Sequence, residues 1–461
     1  MNDARVIEIG RLIDESPYSR YQLLVAALCG AIVFMDGFDA QSMGFVAPAL
    51  AAELGIARTA MGPLLSSGLA GMMFGALGLG LLADRWGRKP VLVASTLIFG
   101  FGSLACAAAG SYELLLVCRF VTGVGLGGAM PNTIALTAEY TPKRFRATAV
   151  MLMFCGVSLG AATGGFVAAA LIEQFGWRSI FVVGGVLPCV AAVVAAALLP
   201  ESIRFLVLKG ARSPEVAARD RKIVAKVVAK IVANAAAKEG TPPVSLANAR
   251  FEVAEKPASG SQVRELFAQR RAGVTVLLWA IFFMSLLDLY FLNNWLPTIM
   301  NEAGIELATA AAITALFQLG GTAGAILLGR RFDRYLSFNV LAVIYAAACV
   351  SVVAIGTAGV GLVSLSITIF IAGFCVIGGQ VGSNALAAEF YPTAIRSTGV
   401  GWALGIGRIG SIIGPFIGGW LLLAVTDVRH VFWAAAIPPL LAAFAALGAA
   451  RVDARRRARS G

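Results

Sequence analysis

Twelve apolar runs, each long enough to cross a bilayer as a helix, limit what this chain can become: 22–50, 60–82, 91–110, 113–137, 147–172, 178–199, 273–300, 308–329, 338–358, 361–388, 398–424 and 430–450. About 20 apolar residues suffice for one spanning helix. In lipid every backbone polar group needs an internal partner, so only helices and closed barrels can span. A barrel would show alternating segments of ~9–11 residues. These runs are unbroken and rich in Ala, Gly and Leu, so they predict an all-α membrane protein. The chain is 13% charged, against roughly 25% for soluble domains.

The net charge of +12 is not a nucleic-acid footprint. Of the 37 Lys and Arg, 32 fall in the N-terminal segment, the loops following even-numbered spans, and the C-terminal segment. Arg58, Arg178 and Arg429 lie on the other side; Arg119 and Arg408 lie within spans. The positive-inside rule then places both termini in the cytoplasm. No basic stripe is interleaved with aromatics, as a nucleic-acid binder would show. The first run is too long for a signal-peptide core, so no cleavable signal is expected.

All seven cysteines sit in apolar runs without metal spacing, and the single histidine, His430, stands outside any cluster. The cysteines read as small buried hydrophobes. No metal site, cofactor site or catalytic triad can be assembled, and an enzyme is not expected.

The chain is an internal repeat. At a shift of 249, Phe34-Met35, Asp39 and Pro48 match Phe283-Met284, Asp288 and Pro297. Gly71, Gly75, Gly80 and Asp84-Arg85 match Gly320, Gly324, Gly329 and Asp333-Arg334. At a shift of 250, Glu139, Pro142 and Arg146 match Glu389, Pro392 and Arg396. The expected organisation is a cytoplasmic segment 1–20, a six-helix half 21–199, a cytoplasmic linker 200–272, a second six-helix half 273–450 and a basic tail 451–461. Parallel repeats with a midplane site at their interface are a transporter architecture. The linker stretch "RKIVAKVVAKIVANAAAK" puts Ile and Val on one face and Lys on another. Such a helix lies on the inner leaflet or packs against the ends of the spans.

Two carboxylates interrupt span 1, in "FMDGFDAQSMGF" (34–45). A charge at the bilayer centre costs at least ~2.5–3.5 kcal/mol on insertion scales. At 1.5 Å per residue, Asp36 lies about 21 Å and Asp39 about 26 Å from the cytoplasmic entry of span 1, Arg119 about 9 Å below the outer surface, and Arg408 about 17 Å deep in span 11. Asp39 and Arg119 thus share a depth. Of these charges only Asp39 has a repeat counterpart, Asp288; Asp36, Arg119 and Arg408 match Ser285, Ile369 and Ser158. Charges that break the repeat are hard to explain as scaffolding.

The loop "GLLADRWGRKP" (80–90) resembles the signature loop of the major facilitator superfamily, with "GRRFDR" (329–334) as its remnant in the second half. Further stretches, "DGFD", "CRFVTGVGLGGAMPN", "AEYTPKRFRAT", "PESIRFLVLKG" and "GSNALAAEFYPTAIRSTGVGWALGIGRIG", resemble the aromatic acid:proton symporters of that superfamily. The resemblance covers 21–450 and implies a monomeric transporter in the lipid bilayer of a bacterial inner membrane that imports a benzoate- or hydroxybenzoate-like carboxylate with protons, with the proton gradient as its energy source and no cofactor. It also implies that spans 1 and 4 line a central cavity, where Asp36, Asp39 and Arg119 would carry the proton.

With Arg119 engaged, Arg408 is left to anchor the substrate carboxylate, which its planar fork suits. Gln318, Gln380, Asn384, Asn293, Tyr290, Phe38, Trp402 and Asp288 are the candidates to complete that site. Asp84, Arg85, Arg88, Glu139, Arg146, Glu389 and Arg396 fall at cytoplasmic helix ends and are expected to form a gate. Glycines at fourth positions in spans 5 and 11 predict closely packed, sliding helices. The alternatives in the same architecture are a sugar or other metabolite carrier and a proton-coupled drug exporter; outside it, a non-transporting membrane sensor.

Overall fold

The computed structural model describes residues 6–210, 222–231, 250–252, 262–268, 271–335, 337–357, 361–392, 395–425 and 427–458. After a short helix α1 (Ile9–Glu15), the first half comprises α2 (Arg20–Leu54), α3 (Arg58–Trp86), α4 (Arg88–Ala108), α5 (Tyr112–Tyr140), α6 (Lys143–Phe175) and α7 (Arg178–Leu198). The segment joining the halves contains α8 (Ile203–Gly210), α9 (222–231) and α10 (Gln262–Phe267). The second half comprises α11 (Ala272–Glu302), α12 (Leu307–Tyr335), α13 (Phe338–Thr357), α14 (Leu362–Phe390), α15 (Arg396–Ala424), α16 (Val428–Ala435) and α17 (Ile437–Ala458). Among the described residues, twelve helices are long and apolar enough to cross a membrane.

Local chemistry sets the ends of α2. The Ser19 hydroxyl accepts from the Gln22 amide at 3.2 Å, and the Gln22 side chain accepts from the Ser19 amide at 2.8 Å. This reciprocal box satisfies two otherwise orphaned N–H groups. At the other end Gly55 stops the helix with φ of 62°, a conformation costly for side chains with a Cβ. The twelfth run, expected as one helix over 430–450, is broken at Ala436. Pro438 and Pro439 lack the N–H for the ladder and disfavour helical conformation just before them. α17 then continues to Ala458, through the stretch expected to be a tail, because its Ala and Arg are strong helix formers.

The repeat is visible as duplicated packing. α2 pairs with α6 and α3 with α5, as α11 pairs with α15 and α12 with α14. A Cβ at Gly37 would run into the Val157 carbonyl, and one at Gly160 into that of Phe34. In the second half, Gly410 and Gly414 face the Phe283 and Leu287 carbonyls in the same way. The fourth-position glycines of spans 5 and 11 therefore remove side chains where backbones touch.

The two halves meet along α2–α11, α3–α15 and α6–α12. These contacts concentrate at the end away from both termini. Ser66 donates to the Ile412 carbonyl at 2.7 Å, Gln41 donates to the Asn293 carbonyl, and Gly165 lies against Ala315. Followed toward the other end, the same helix faces come apart. Along α3, Gly62, Ser66 and Leu69 are buried and Leu77 is 63% exposed. Along α12, Ala311, Ala315 and Gln318 are buried and Ile326 is 43% exposed. Along α6, Gly165, Ala162 and Ala161 are buried and Phe154 is 41% exposed. The halves thus enclose a cleft that opens at the end carrying the termini.

The basic linker helix packs rather than floats. Val224, Val227, Val228 and Ile231 of α9 are buried in one cluster with Ile9, Ile13, Val25, Cys29 and Leu199. Lys222 and Lys226 are exposed, and the Lys230 ammonium lies 4.9 Å from the Tyr21 ring centroid. A two-stranded parallel pair, β1 (Val6–Glu8) with β2 (Arg250–Glu252), ties the N-terminal segment to the linker. Val228→Asp would bury an unpaired carboxylate, which is disfavoured by several kcal/mol. The variant is expected to release α9, read as faster tryptic cleavage after Lys222, Lys226 and Lys230 in intact membranes. An unchanged cleavage rate would refute the packed arrangement.

Candidate functional site

Toward the sealed end of the cleft Asp39 pairs with Arg119, and Asp36 lies in the electrostatic field of Arg408. The Arg119 Nη1 lies 3.0 Å from Asp39 Oδ2, with side-chain exposures of 6% and 0%. The Phe181 ring sits 5.8 Å from the guanidinium carbon. Gly68 leaves the room: its Cβ would stand 3.5 Å from Arg119 Nη2. The Asp39–Arg119 contact expected from equal depths is therefore present, and it is dry. Asp39 keeps one oxygen, Oδ1, without a hydrogen-bond partner among the described residues.

Asp36, one turn away, stands outside that ion pair. It is buried and interacts electrostatically with Arg408 and Asp39. Arg408 is half-buried, and its Nη1 donates to the Tyr290 hydroxyl at 3.4 Å. Tyr290 packs with Met35 and Ile412 onto Leu69, Met72, Phe99 and Leu126. That patch draws on both halves and is apolar apart from the tyrosine hydroxyl. A bundle of amides closes the far side. Gln41 donates to the Asn293 carbonyl, and Gln318 Nε2 donates to Asn293 Oδ1 at 2.8 Å and to Gln41 Oε1 at 3.5 Å. A cation, an apolar wall and convergent amides are what a planar organic anion requires.

Other candidates lie elsewhere. Phe38 is buried inside the first half, against Gly164 and Gly184. Trp402 stacks on Trp279 with centroids 5.8 Å apart, and Trp279 meets Phe267 edge-on, so Trp402 belongs to an aromatic cluster toward the termini end. Gln380 and Asn384 bond to each other at 3.3 Å on α14, nearer the mouth of the cleft. Asp288 is 1% exposed and lies within the second half, beside Tyr345. It sits two residues before Tyr290, about 200° around α11 from it at ~100° per residue, and so on the side away from the Arg408 cluster.

The residues expected to gate pair in an unexpected order. Glu139 meets the Arg88 guanidinium and accepts from Ser202 at 2.6 Å. Arg146, expected near Glu139, instead lies 3.8 Å from Asp14 of α1, because the turn after α5 carries it outward. Arg85 and Glu389 are exposed. The side chains of Asp84 and Arg396 lie outside the described residues.

Two functional candidates escaped the sequence reading. Gln41 bridges the halves; its signal was a polar residue in an apolar run whose repeat counterpart is Tyr290. Glu201 of "PESIR" accepts from the Arg88 and Lys89 amides at 2.8 and 3.1 Å, capping α4. Gly87 permits this with φ of 103°, and a Cβ there would strike the Glu201 carboxylate. Carboxylates at helix N-termini satisfy free N–H groups and the dipole. The end of α7 is thereby locked to the signature loop.

The Major Facilitator Superfamily model matches residues 29–379 and 278–461. The chain is 43% identical to the 4-hydroxybenzoate transporter PcaK of Pseudomonas putida, over 95% of this chain and 94% of that one. It is 40% identical to a gallate transporter of Pseudomonas putida, with 98% and 96% covered. It is 36% identical to a 3-(3-hydroxy-phenyl)propionate transporter of Escherichia coli, with 91% and 92% covered. Among solved structures, an inward-facing, unoccupied bacterial homologue of the human lysosomal transporter Spinster superposes with a TM-score of 0.72 at 16% identity, covering 95% of this chain and 98% of that one. A partially occluded, inward-open form of the xylose transporter XylE from E. coli gives 0.69 at 14% identity, covering 92% and 98%.

Proposed function

Because this chain belongs to the Major Facilitator Superfamily and stands among its aromatic acid transporters, we propose that it imports a hydroxybenzoate-like carboxylate together with protons, by alternating access. The observation that carries the reading is Arg408: a half-buried guanidinium at the bottom of the cleft, beside the Tyr290 hydroxyl and the apolar wall of Met35, Leu69, Met72 and Ile412. A guanidinium fork matches a carboxylate, and an aromatic ring is held by apolar contact.

The placement of 32 of 37 Lys and Arg makes the termini end cytoplasmic. The cleft then opens inward, and the Gln41–Asn293–Gln318 bundle closes the outer gate. Rocking the halves about that seam would open the site to the other side. Coupling follows from competition. Asp36 and the substrate carboxylate both seek Arg408, so a proton on Asp36 leaves the guanidinium free for the substrate. Proton and substrate therefore favour each other's binding, which is the requirement for symport. The buried Asp39–Arg119 pair is the second element: opening it lets Asp39 exchange its proton.

Vesicles loaded at higher pH than the medium are expected to accumulate labelled 4-hydroxybenzoate, protocatechuate or benzoate. Accumulation should collapse when a protonophore dissipates the gradient. Equal uptake with and without the gradient would overturn the coupling, and uptake of none of the three would overturn the substrate class.

A further inference from the structure

We infer that Asp288 is a further proton carrier of the transport cycle, beyond Asp36 and Asp39, holding a proton in this conformation and releasing it in another; the inference rests on the reading of the chain as a proton-coupled transporter. Asp288 is the repeat counterpart of Asp39, and the two differ in one decisive respect. Asp39 has Arg119 at 3.0 Å. In the second half the position of Arg119 is held by Ile369, which is fully buried and apolar. Asp288 is 1% exposed, and neither of its oxygens has a hydrogen-bond partner among the described residues.

Among the described residues the surroundings supply no compensating cation. Among the described residues, Tyr345 and Cys349 of α13 are titratable groups that share its field. The Tyr345 hydroxyl is already hydrogen-bonded to Ser383 at 2.8 Å. α15 brings Arg408 to the opposite side of α11, where it meets Tyr290. α2 carries Asp36, which lies in the field of Arg408, and Asp39, which is paired with Arg119. α12 presents only uncharged residues from Leu307 to Leu328. Arg264 and Glu265 of α10, with Arg451, Asp453 and Arg455 of α17, lie at the termini end; Arg429 and His430 of α16 lie at the other. An ionised carboxylate in such a place is far costlier than the neutral acid. The group therefore holds a proton here.

Release requires contact with water or a cation in another conformation, and α11 is placed to provide it. It carries Tyr290 and Asn293 of the substrate cluster and packs against α2 across the seam. A rocking of the halves moves α11 against α13 and α14, and so changes what Asp288 faces. The step is a reversible protonation of one carboxylate oxygen, with the proton taken from and returned to water.

The test uses the full chain reconstituted in lipid vesicles. Infrared difference spectra between acidic and alkaline buffer should contain a protonated-carboxyl C=O band that is missing in Asp288→Asn and retained in Asp39→Asn. Reversal potentials under imposed pH gradients should give a proton-to-substrate ratio one lower in Asp288→Asn than in the unaltered chain. A band retained in Asp288→Asn, or an unchanged ratio, overturns the inference while leaving proton coupling intact. A ratio of zero in the unaltered chain overturns both readings. If Asp288→Asn does not assemble, Asp288→Glu should shift the band; no shift also overturns the assignment.

Discussion

Asp39→Asn is expected to abolish accumulation driven by a pH gradient while exchange of substrate across the membrane persists. The carboxylate is fully buried, and its charge partner is the equally dry Arg119. Asparagine keeps the shape of the side chain and cannot bind and release a proton at neutral pH. The variant resembles a carrier with its proton permanently loaded, which still reorients when substrate is bound. Removing one member of a buried pair also strands the other charge, at a cost of roughly 3–5 kcal/mol. Stability must therefore be separated from coupling. The double variant Asp39→Asn, Arg119→Gln removes both charges and should recover thermal stability in detergent without recovering gradient-driven uptake. Normal accumulation in Asp39→Asn would end the role given to this pair.

Arg408→Ala should raise the KM for benzoate-like substrates by about ten- to a hundredfold, the equivalent of a charged hydrogen bond worth roughly 1.5–3 kcal/mol. Arg408 differs from Arg119 in being half-buried, with its Nη1 in a long, 3.4 Å contact to the Tyr290 hydroxyl. It therefore has donors to offer a ligand. Arg408→Lys should recover part of the affinity, since an ammonium supplies charge without the planar fork. Benzamide, which has the ring and no charge, should compete equally well in the variant and the unaltered chain. A KM for the acid that does not change in Arg408→Ala would refute the anchor.

Much of this was readable from residues alone. The spans follow from hydropathy, and the two halves from matches such as Asp39 with Asp288. Even the Asp39–Arg119 contact followed from counting helical rise from opposite membrane faces. Aromatic candidates were harder. Phe38 and Trp402 sit in helices that are apolar all round, and such helices carry no stripe to say which side faces a partner. Their sequence positions could not distinguish the interior of one half from the cleft. The pairing at the cytoplasmic ends was hidden for another reason: Arg146 and Glu139 are seven residues apart, but the intervening turn decides that one meets Asp14 and the other Arg88.

Hydropathy and charge placement act locally and add along the chain, so the sequence by itself determined twelve spans, two repeated halves and the sidedness of the basic loops. Which end of the seam is closed, and which arginine is occupied, depends on the rotation and tilt of whole helices. Those are set by backbone contacts at glycines such as Gly37, Gly160 and Gly410, and by amide contacts between residues as distant in sequence as Gln41 and Asn293. Only the tertiary structure set Asp36 in the field of Arg408 and left Asp288 with neither arginine.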